Sequence, residues 1–385
     1  MKKILVIIGT RPEAIKLFPV VHALRDHPEF ECVVCTTGQH REMVDEVLDF
    51  VGVVPDYRLD AMRAGQSLDK LTARLTTLIG PVIDKVAPDW VIVQGDTTSA
   101  FCGALSAYYR RIRVCHVEAG LRTGDIYGPW PEEANRKMIA TMAALHCAPT
   151  EGAADNLRSE GVAQEAIHVT GNTVVDALIW TRRRLEENPA TASELLGINH
   201  RFTGRKVVIA TCHRRETRGR GMREIAEILT RIAQRSDTLI VFPLHPDPGV
   251  QAFFSSRLGG VDNVVLIKPL PYHRFIGLLM LSNLILTDSG GIQEEAAFLE
   301  IPTLVLRQKT ERVEGLRTGL AKLMDMQLDD TFAAINSILD QKVESEAANF
   351  GSTLYGDGSA GKHIVKLLLE CHEVIRVKSS FIPTP

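Results

Sequence analysis

Short runs of aliphatic and β-branched residues alternate along this chain with longer stretches in which apolar residues recur at helical spacing. The first series of runs covers 4–8, 32–36, 90–93, 114–117, 145–148 and 168–170. A second series covers 206–210, 239–242, 264–267, 284–287 and 303–306. These runs are nearly continuous in apolar residues, as in strands buried on both faces of a parallel sheet. Amphipathic patterns such as 67–86 and 221–235 fall between them. The βαβα order predicts an α/β protein with two doubly wound, Rossmann-like parallel-sheet domains. The first domain is expected over 1–175 and the second over 176–360, with the join near 171–180. A C-terminal helix within 361–385 is expected to return to the first domain.

Length and composition agree with this division. At 385 residues the chain exceeds what one hydrophobic core usually organises. Its hydrophobic and charged fractions, 45% and 24%, are those of an ordinary globular protein. A net charge of −3 gives no broadly basic face, which argues against a nucleic-acid or anionic-membrane partner. No segment approaches the roughly 20 apolar residues of a membrane span. The seven cysteines are scattered and odd in number, which reads as reduced core thiols in a cytoplasmic protein with no metal site. The apolar run after Met1-Lys2-Lys3 is too short for a signal peptide and reads as the first strand.

The candidate chemistry clusters where strands end. The stretch 116–136 carries four carboxylates and three guanidinium or imidazole groups, shaped by glycines and prolines. That density suits acid/base work on a rigid frame better than packing. Gly9-Thr10-Arg11-Pro12-Glu13-Ala14-Ile15-Lys16 joins the first strand to the first helix, where a helix N-terminus with Arg11 and Lys16 suits a diphosphate. The bland alternative is a Gly turn with a helix-starting proline. Gly95-Asp96-Thr97-Thr98-Ser99 closes the third run; Asp96 or Thr97 there is a helix cap or, beside Glu118 and Arg11, part of an acid/base site. Neither a G-x-G-x-x-G fingerprint nor a Walker A loop is present, so dinucleotide enzymes and P-loop kinases fit poorly.

The second half repeats the arrangement. Thr211-Cys212-His213-Arg214-Arg215 leaves a strand with an anion-facing cluster, in which His213 and Arg214 are candidates for phosphate contact. Thr287-Asp288-Ser289-Gly290-Gly291 leads into a helix whose first N–H groups, at Ser289, Gly290 and Gly291, suit a phosphate, and Glu295 suits ribose hydroxyls. A simple capping box is the alternative there, but two adjacent glycines exceed what a cap needs. Phe275 follows another strand and offers a surface for a base ring.

Taken together, GTRPEAIK, GDTTS, HVEAGLRTGDIYGPWPEEANR, HRRE and DSGGIQEEA resemble, in this order and spacing, the non-hydrolysing UDP-N-acetylglucosamine 2-epimerases. The likeness runs from residue 2 to Gly358. It implies a glycosyltransferase-B type fold with two domains facing a central cleft. It also implies reversible conversion of UDP-N-acetylglucosamine to UDP-N-acetylmannosamine, through UDP elimination to a 2-acetamidoglucal and re-addition. By position, Asp96, Glu118 and Glu132 match the catalytic carboxylates and His213 the residue assisting UDP departure. Arg11, Lys16, Ser289, Gly290, Gly291, Glu295 and Arg312 match nucleotide-binding positions, and Arg136, Arg214 and Phe275 join them as candidate substrate contacts. Gln39, His40, Gln66 and Glu133 match a site where some relatives bind a second UDP-N-acetylglucosamine as activator. The resemblance implies a homodimer and no cofactor. Departures such as Cys212 before His213 and Val313 after Arg312 concentrate in the second domain. The rival readings are a hydrolysing epimerase releasing free N-acetylmannosamine, and a glycosyltransferase on the same fold.

Overall fold

The structure, a computed structural model, describes residues 1–187, 204–212, 220–306, 315–316, 319–324, 328–340 and 355–379. It divides into two compact units, Met1–Ala177 with Tyr355–Pro385, and Leu178–Leu354. The sequence expectation of two parallel-sheet α/β domains holds in both.

The first unit is built on β1 (Lys2–Ile8), β2 (Phe30–Thr36), β3 (Tyr57–Arg58), β4 (Trp90–Gln94), β5 (Arg113–Val117), β6 (Leu145–Ala148) and β7 (Ile167–Val169). These pair in the order β3-β2-β1-β4-β5-β6-β7, every pair parallel. Parallel pairing demands a crossover after each strand. Helices supply most of them: α1 (Arg11–Arg25), α2 (Arg41–Phe50), α3 (Leu68–Val86), α4 (Thr98–Tyr108), α5 (Glu132–Met142) and α6 (Glu151–Ser159). Ile4 to Ile8 are wholly buried, because helices cover both faces of β1. On one face Leu5, Ile7, Val91 and Val93 pack with Leu75, Ile79 and Ile83 of α3.

The chain passes to the second unit within α7 (Thr173–Glu186). There β8 (Lys206–Ala210), β9 (Thr238–Pro243), β10 (Val264–Ile267), β11 (Leu284–Thr287), β12 (Thr303–Val305) and β13 (Ala321–Leu323) form a parallel sheet in the order β10-β9-β8-β11-β12-β13. The described helices of this unit are α8 (Arg220–Ile232), α9 (Pro248–Leu258), α10 (Tyr272–Met280), α11 (Gly290–Phe298) and α12 (Leu328–Asp340). Ile225 and Leu229 of α8 and Phe254 of α9 close the core over Val208, Ile240 and Phe242. The last helix, α13 (Ala360–Ser379), belongs to the first unit. Asp176 accepts the N–H groups of Ala360 and Gly361 at its start, at 3.2 and 2.9 Å. Among the described residues no helix is long and apolar enough to cross a membrane.

Two strands were absent from the sequence-based expectation, β3 and β13. Each is only two or three residues long and carries a basic residue, so neither forms a run that periodicity detects. Both lie at a sheet edge, where pairing on one side suffices. In both sheets the strand order reverses direction between a first strand and a fourth, β1 beside β4 and β8 beside β11. Ligands of open α/β sheets bind at such a switch point, beyond the carboxyl ends of the two strands.

The turn after β5 is fixed by backbone packing. Gly120 adopts φ +90°, and a Cβ built there would stand 2.1 Å from the Ala153 carbonyl oxygen of α6. Gly124, four residues on, also has positive φ but faces open space. Gly120→Ala should therefore cost at least ~3 kcal/mol, whereas Gly124→Ala should cost only the left-handed backbone penalty of ~1 kcal/mol. Urea midpoints followed by tryptophan fluorescence check this; equal losses would contradict the packing account.

Candidate active site

The adjacency of β1, β4 and β5 brings distant residues into contact. Lys16, in the second turn of α1 after β1, reaches Glu118 just past β5, with Nζ 2.5 Å from Oε1. The side chains are 8% and 5% exposed, so this is an ion pair taken out of water. Such charges survive burial only when paired and hydrogen-bonded. Gln94, the last residue of β4, donates its amide to the other Glu118 oxygen. Glu118 itself has φ +60°, a left-handed conformation that a β-unbranched acid adopts at a cost of ~1–2 kcal/mol. Such strain concentrates where a side chain must be aimed.

Asp96 occupies the turn after β4 and is held from several directions. Arg136, on α5, places Nε and Nη2 at 2.8 and 2.6 Å from its Oδ2. Asn135 donates to the Asp96 carbonyl at 2.8 Å, and Gly95 N–H bonds to Val117 O at 3.0 Å. His116 Nε2 lies 2.7 Å from Gly95 O, and because a carbonyl only accepts, that nitrogen carries the proton. Burial, only partly offset by this bond, pushes His116 down to about 3, so the ring is neutral. Arg136, expected among the substrate contacts, is thus engaged with carboxylates of its own chain. Its Nη1 also meets Glu133 at 2.8 Å.

Glu133 is fully buried, and its other oxygen accepts the N–H groups of Thr123 and Gly124 at 3.1 and 3.3 Å. It braces the 122–131 loop against α5. Glu132, half-buried, opens α5 immediately beside it. Arg11, also half-buried, is the first residue of α1. Of the other positions matched to an activator, Gln39 accepts the Ser99 hydroxyl at 2.7 Å and Gln66 donates to Ala61 O at 3.2 Å. His40 lies on the turn after β2 with its pKa lowered by burial.

One buried acid had no role in the sequence reading. Glu13, in α1, is completely buried and its pKa is raised to about 7. Burial is the main cause, opposed by hydrogen bonds from Thr10 and Thr97 and reinforced by the Asp96 charge. Because the folded value is raised, this group stabilises the fold below its ordinary value of 4.5, and the contribution fades as pH climbs through 7. The Thr10-x-x-Glu13 spacing is a capping-box signal that marks such a residue in advance.

The second unit places its candidates after the equivalent strands. Ser289 is the N-cap of α11, and Gly290 and Gly291 are its first helical residues. The Ser289 side chain makes no capping hydrogen bond, so the turn is not the simple cap of the bland reading. A Cβ at Gly291 would meet no atom within 4 Å, leaving the helix start open. Thr211 and Thr287 hydroxyls, at the ends of β8 and β11, bond at 2.7 Å across the switch point. Glu295 is buried one turn into α11, and Phe275 is buried within α10. His213, Arg214 and Arg312 lie outside the described residues. Among the described residues no cluster of three His, Cys, Asp or Glu side chains is placed to hold a metal ion.

Comparison with known proteins decides the family. The model of the UDP-N-acetylglucosamine 2-epimerase family matches residues 22–369. The chain belongs to that family. A UDP-N-acetylglucosamine 2-epimerase of Escherichia coli K12 is 45% identical over 369 residues, covering 95% of this chain and 98% of that protein. A crystal structure of the Neisseria meningitidis UDP-GlcNAc 2-epimerase bound to UDP-GlcNAc superposes with TM-score 0.90 at 39% identity, over 96% of this chain and 100% of that one. The Methanocaldococcus jannaschii enzyme in complex with UDP-GlcNAc and UDP gives TM-score 0.84 at 31% identity, over 96% of this chain and 99% of that one. The two parallel-sheet units are accordingly those of a glycosyltransferase-B-like epimerase fold.

Within this epimerase-family chain, the His116–Gly95 bond makes a sharp prediction. The unfolded imidazole titrates near 6.5 and the folded one near 3, so His116 adds stability above pH 6.5 that is lost as pH falls. Gln at 116 keeps a donor but does not titrate. The stability advantage of the parent over His116→Gln should therefore shrink by roughly 1.4 kcal/mol per pH unit below 6.5. Urea denaturation between pH 7.5 and 5 tests this; a constant difference would rule out a buried neutral histidine.

Proposed function

We propose that this chain is a non-hydrolysing epimerase that interconverts UDP-N-acetylglucosamine and UDP-N-acetylmannosamine, working as a homodimer. The observation that carries the reading is the buried Lys16–Glu118–Gln94 cluster beside the Asp96–Arg136 pair, at the switch point of a family-matched sheet. The reaction inverts a carbon whose proton is only weakly acidic, and a carboxylate held on a rigid frame beside cations suits that task.

In the forward direction a carboxylate takes the C2 proton. The C1–O bond breaks, its electrons leave on the UDP diphosphate, and a C1=C2 double bond forms. In the return step a UDP oxygen attacks C1 and a second acid delivers a proton to C2 on the opposite face. Asp96, Glu118 and Glu132 are the groups proposed for these proton transfers. Each comes from a different strand end or helix start, so they can flank one ring instead of stacking on one side. Arg11 and Lys16 at α1 are proposed to hold the diphosphate, and the backbone N–H groups of Gly290 and Gly291 are the second unit's proposed phosphate donors. His213 is proposed to assist UDP departure. The relatives whose structures contain UDP-GlcNAc or UDP support this choice of substrate.

Incubation with UDP-N-acetylglucosamine in deuterated water, followed by NMR, tests the proposal. Deuterium at C2 and a UDP-manno product are expected, and Glu118→Gln should lower the rate by roughly 10²–10⁴. Free N-acetylmannosamine with UDP would establish the hydrolysing reaction instead. Recovery of unlabelled substrate would overturn the epimerase reading.

A further inference from the structure

Glu13 ties together turns that the proposed chemistry uses but does not itself carry any part of that chemistry. Its Oε2 accepts the Thr10 N–H at 2.7 Å, on the turn that presents Arg11. Its Oε1 accepts the Thr97 hydroxyl at 3.0 Å, on the turn that presents Asp96. Thr97 Oγ1 also accepts the Ala100 N–H at 3.0 Å, so its one proton is committed to Glu13. Both donors are neutral, and among the described residues no cation is paired with this carboxyl. A buried acid without a counter-ion is expensive to keep, which makes a purely packing role a poor explanation.

The surroundings leave the carboxyl little freedom. A Cβ built on Gly9 would lie 2.2 Å from Ser99 Oγ and 3.1 Å from Glu13 Oε2, so only glycine lets β1 and α4 approach so closely here. Ser99 in turn bonds Thr37 at 2.8 Å and Gln39 at 2.7 Å, which joins the turn after β2 to the same network. The charged neighbours are few. Asp96 acts on Glu13 from the β4–α4 turn, Lys16 one turn along α1 is engaged with Glu118, and His40 after β2 is shifted toward its neutral form by burial.

We infer that Glu13 is a positioning residue, whose buried carboxyl locks the Arg11 turn to the Asp96 turn and so holds the diphosphate cations and the sugar-facing carboxylate in one register. This rests on the epimerase reading for its consequence in turnover, but the mechanical tie is independent of it. The ionised carboxylate accepts both hydrogen bonds strongly, whereas the neutral acid accepts well at its carbonyl oxygen and only weakly at its hydroxyl oxygen. Since the group titrates near neutrality, the strength of the tie changes in the same range.

Four variants, read by kinetics, UDP affinity and amide exchange, test it. Glu13→Ala should lower kcat by roughly 10–100-fold while UDP affinity changes less than about threefold, because geometry and not ligand contact is lost. Thr97→Val should act in the same direction, and Thr97→Ser should restore the rate. Glu13→Gln mimics the neutral acid, so the rate of the parent relative to Glu13→Gln should rise between pH 6 and 8. Amide exchange should quicken at 95–100 in Glu13→Ala and stay unchanged within β4. A folded Glu13→Ala with parental kcat and parental exchange would overturn the inference, as would a rate loss explained by weaker UDP binding alone. If the parent does not turn over UDP-N-acetylglucosamine, the functional proposal fails and the exchange measurement alone decides the tie.

Discussion

The candidate site depends on a charge pair largely withdrawn from water. Lys16 and Glu118 are separated by 102 residues and meet with hardly any exposed surface. Two ions in that position are tolerated only as partners, since loss of either leaves a buried charge at a cost of roughly 3–5 kcal/mol. The pair therefore demands that α1 start directly after β1, that β4 lie between β1 and β5, and that the chain turn sharply after Val117. The first two conditions follow from parallel order. The third is met by the left-handed Glu118 and by Gly120, whose missing side chain admits the Ala153 carbonyl.

Around that pair the molecule distributes labour by position along the sheet edge. Arg136 secures Asp96 and Glu133 together, and Glu133 spends its second oxygen on the loop N–H groups. The 122–131 loop is consequently shaped from within, leaving Glu132 at the helix start. The second unit uses the same device with less charge. A pair of threonine hydroxyls bridges β8 and β11, and the start of α11 offers backbone N–H groups beside two glycines. An anion held by backbone donors costs no side-chain ordering.

Much of this was legible in the chain. Continuous apolar runs revealed the buried strands, and strand-terminal motifs revealed which residues stand at the sheet edge, because strand ends are where an open sheet exposes side chains. Lys16, Asp96, Glu118 and the Ser289–Gly291 turn came from that logic, and the family resemblance from their order. What stayed hidden depends on pairing across space. Tyr57–Arg58 and Ala321–Leu323 are strands only because a neighbour extends the sheet to them. Arg136 looks like a free cation until α5 packs against the Asp96 turn. Glu13 passes for a helix cap until Thr97 arrives from 84 residues away. His116 lies within a recognised motif, yet its link to Gly95 follows from β4–β5 register.

The central claim is that Lys16 and Glu118 act as one unit, and a double-mutant cycle on turnover tests it most directly. kcat would be measured for the parent, Lys16→Met, Glu118→Gln and the double variant, with UDP-N-acetylglucosamine as substrate. If the pair is one device, each single change should remove most of the activity, and the double variant should be little worse than the poorer single one. Losses that simply add in free energy would show two independent residues, and would contradict the account.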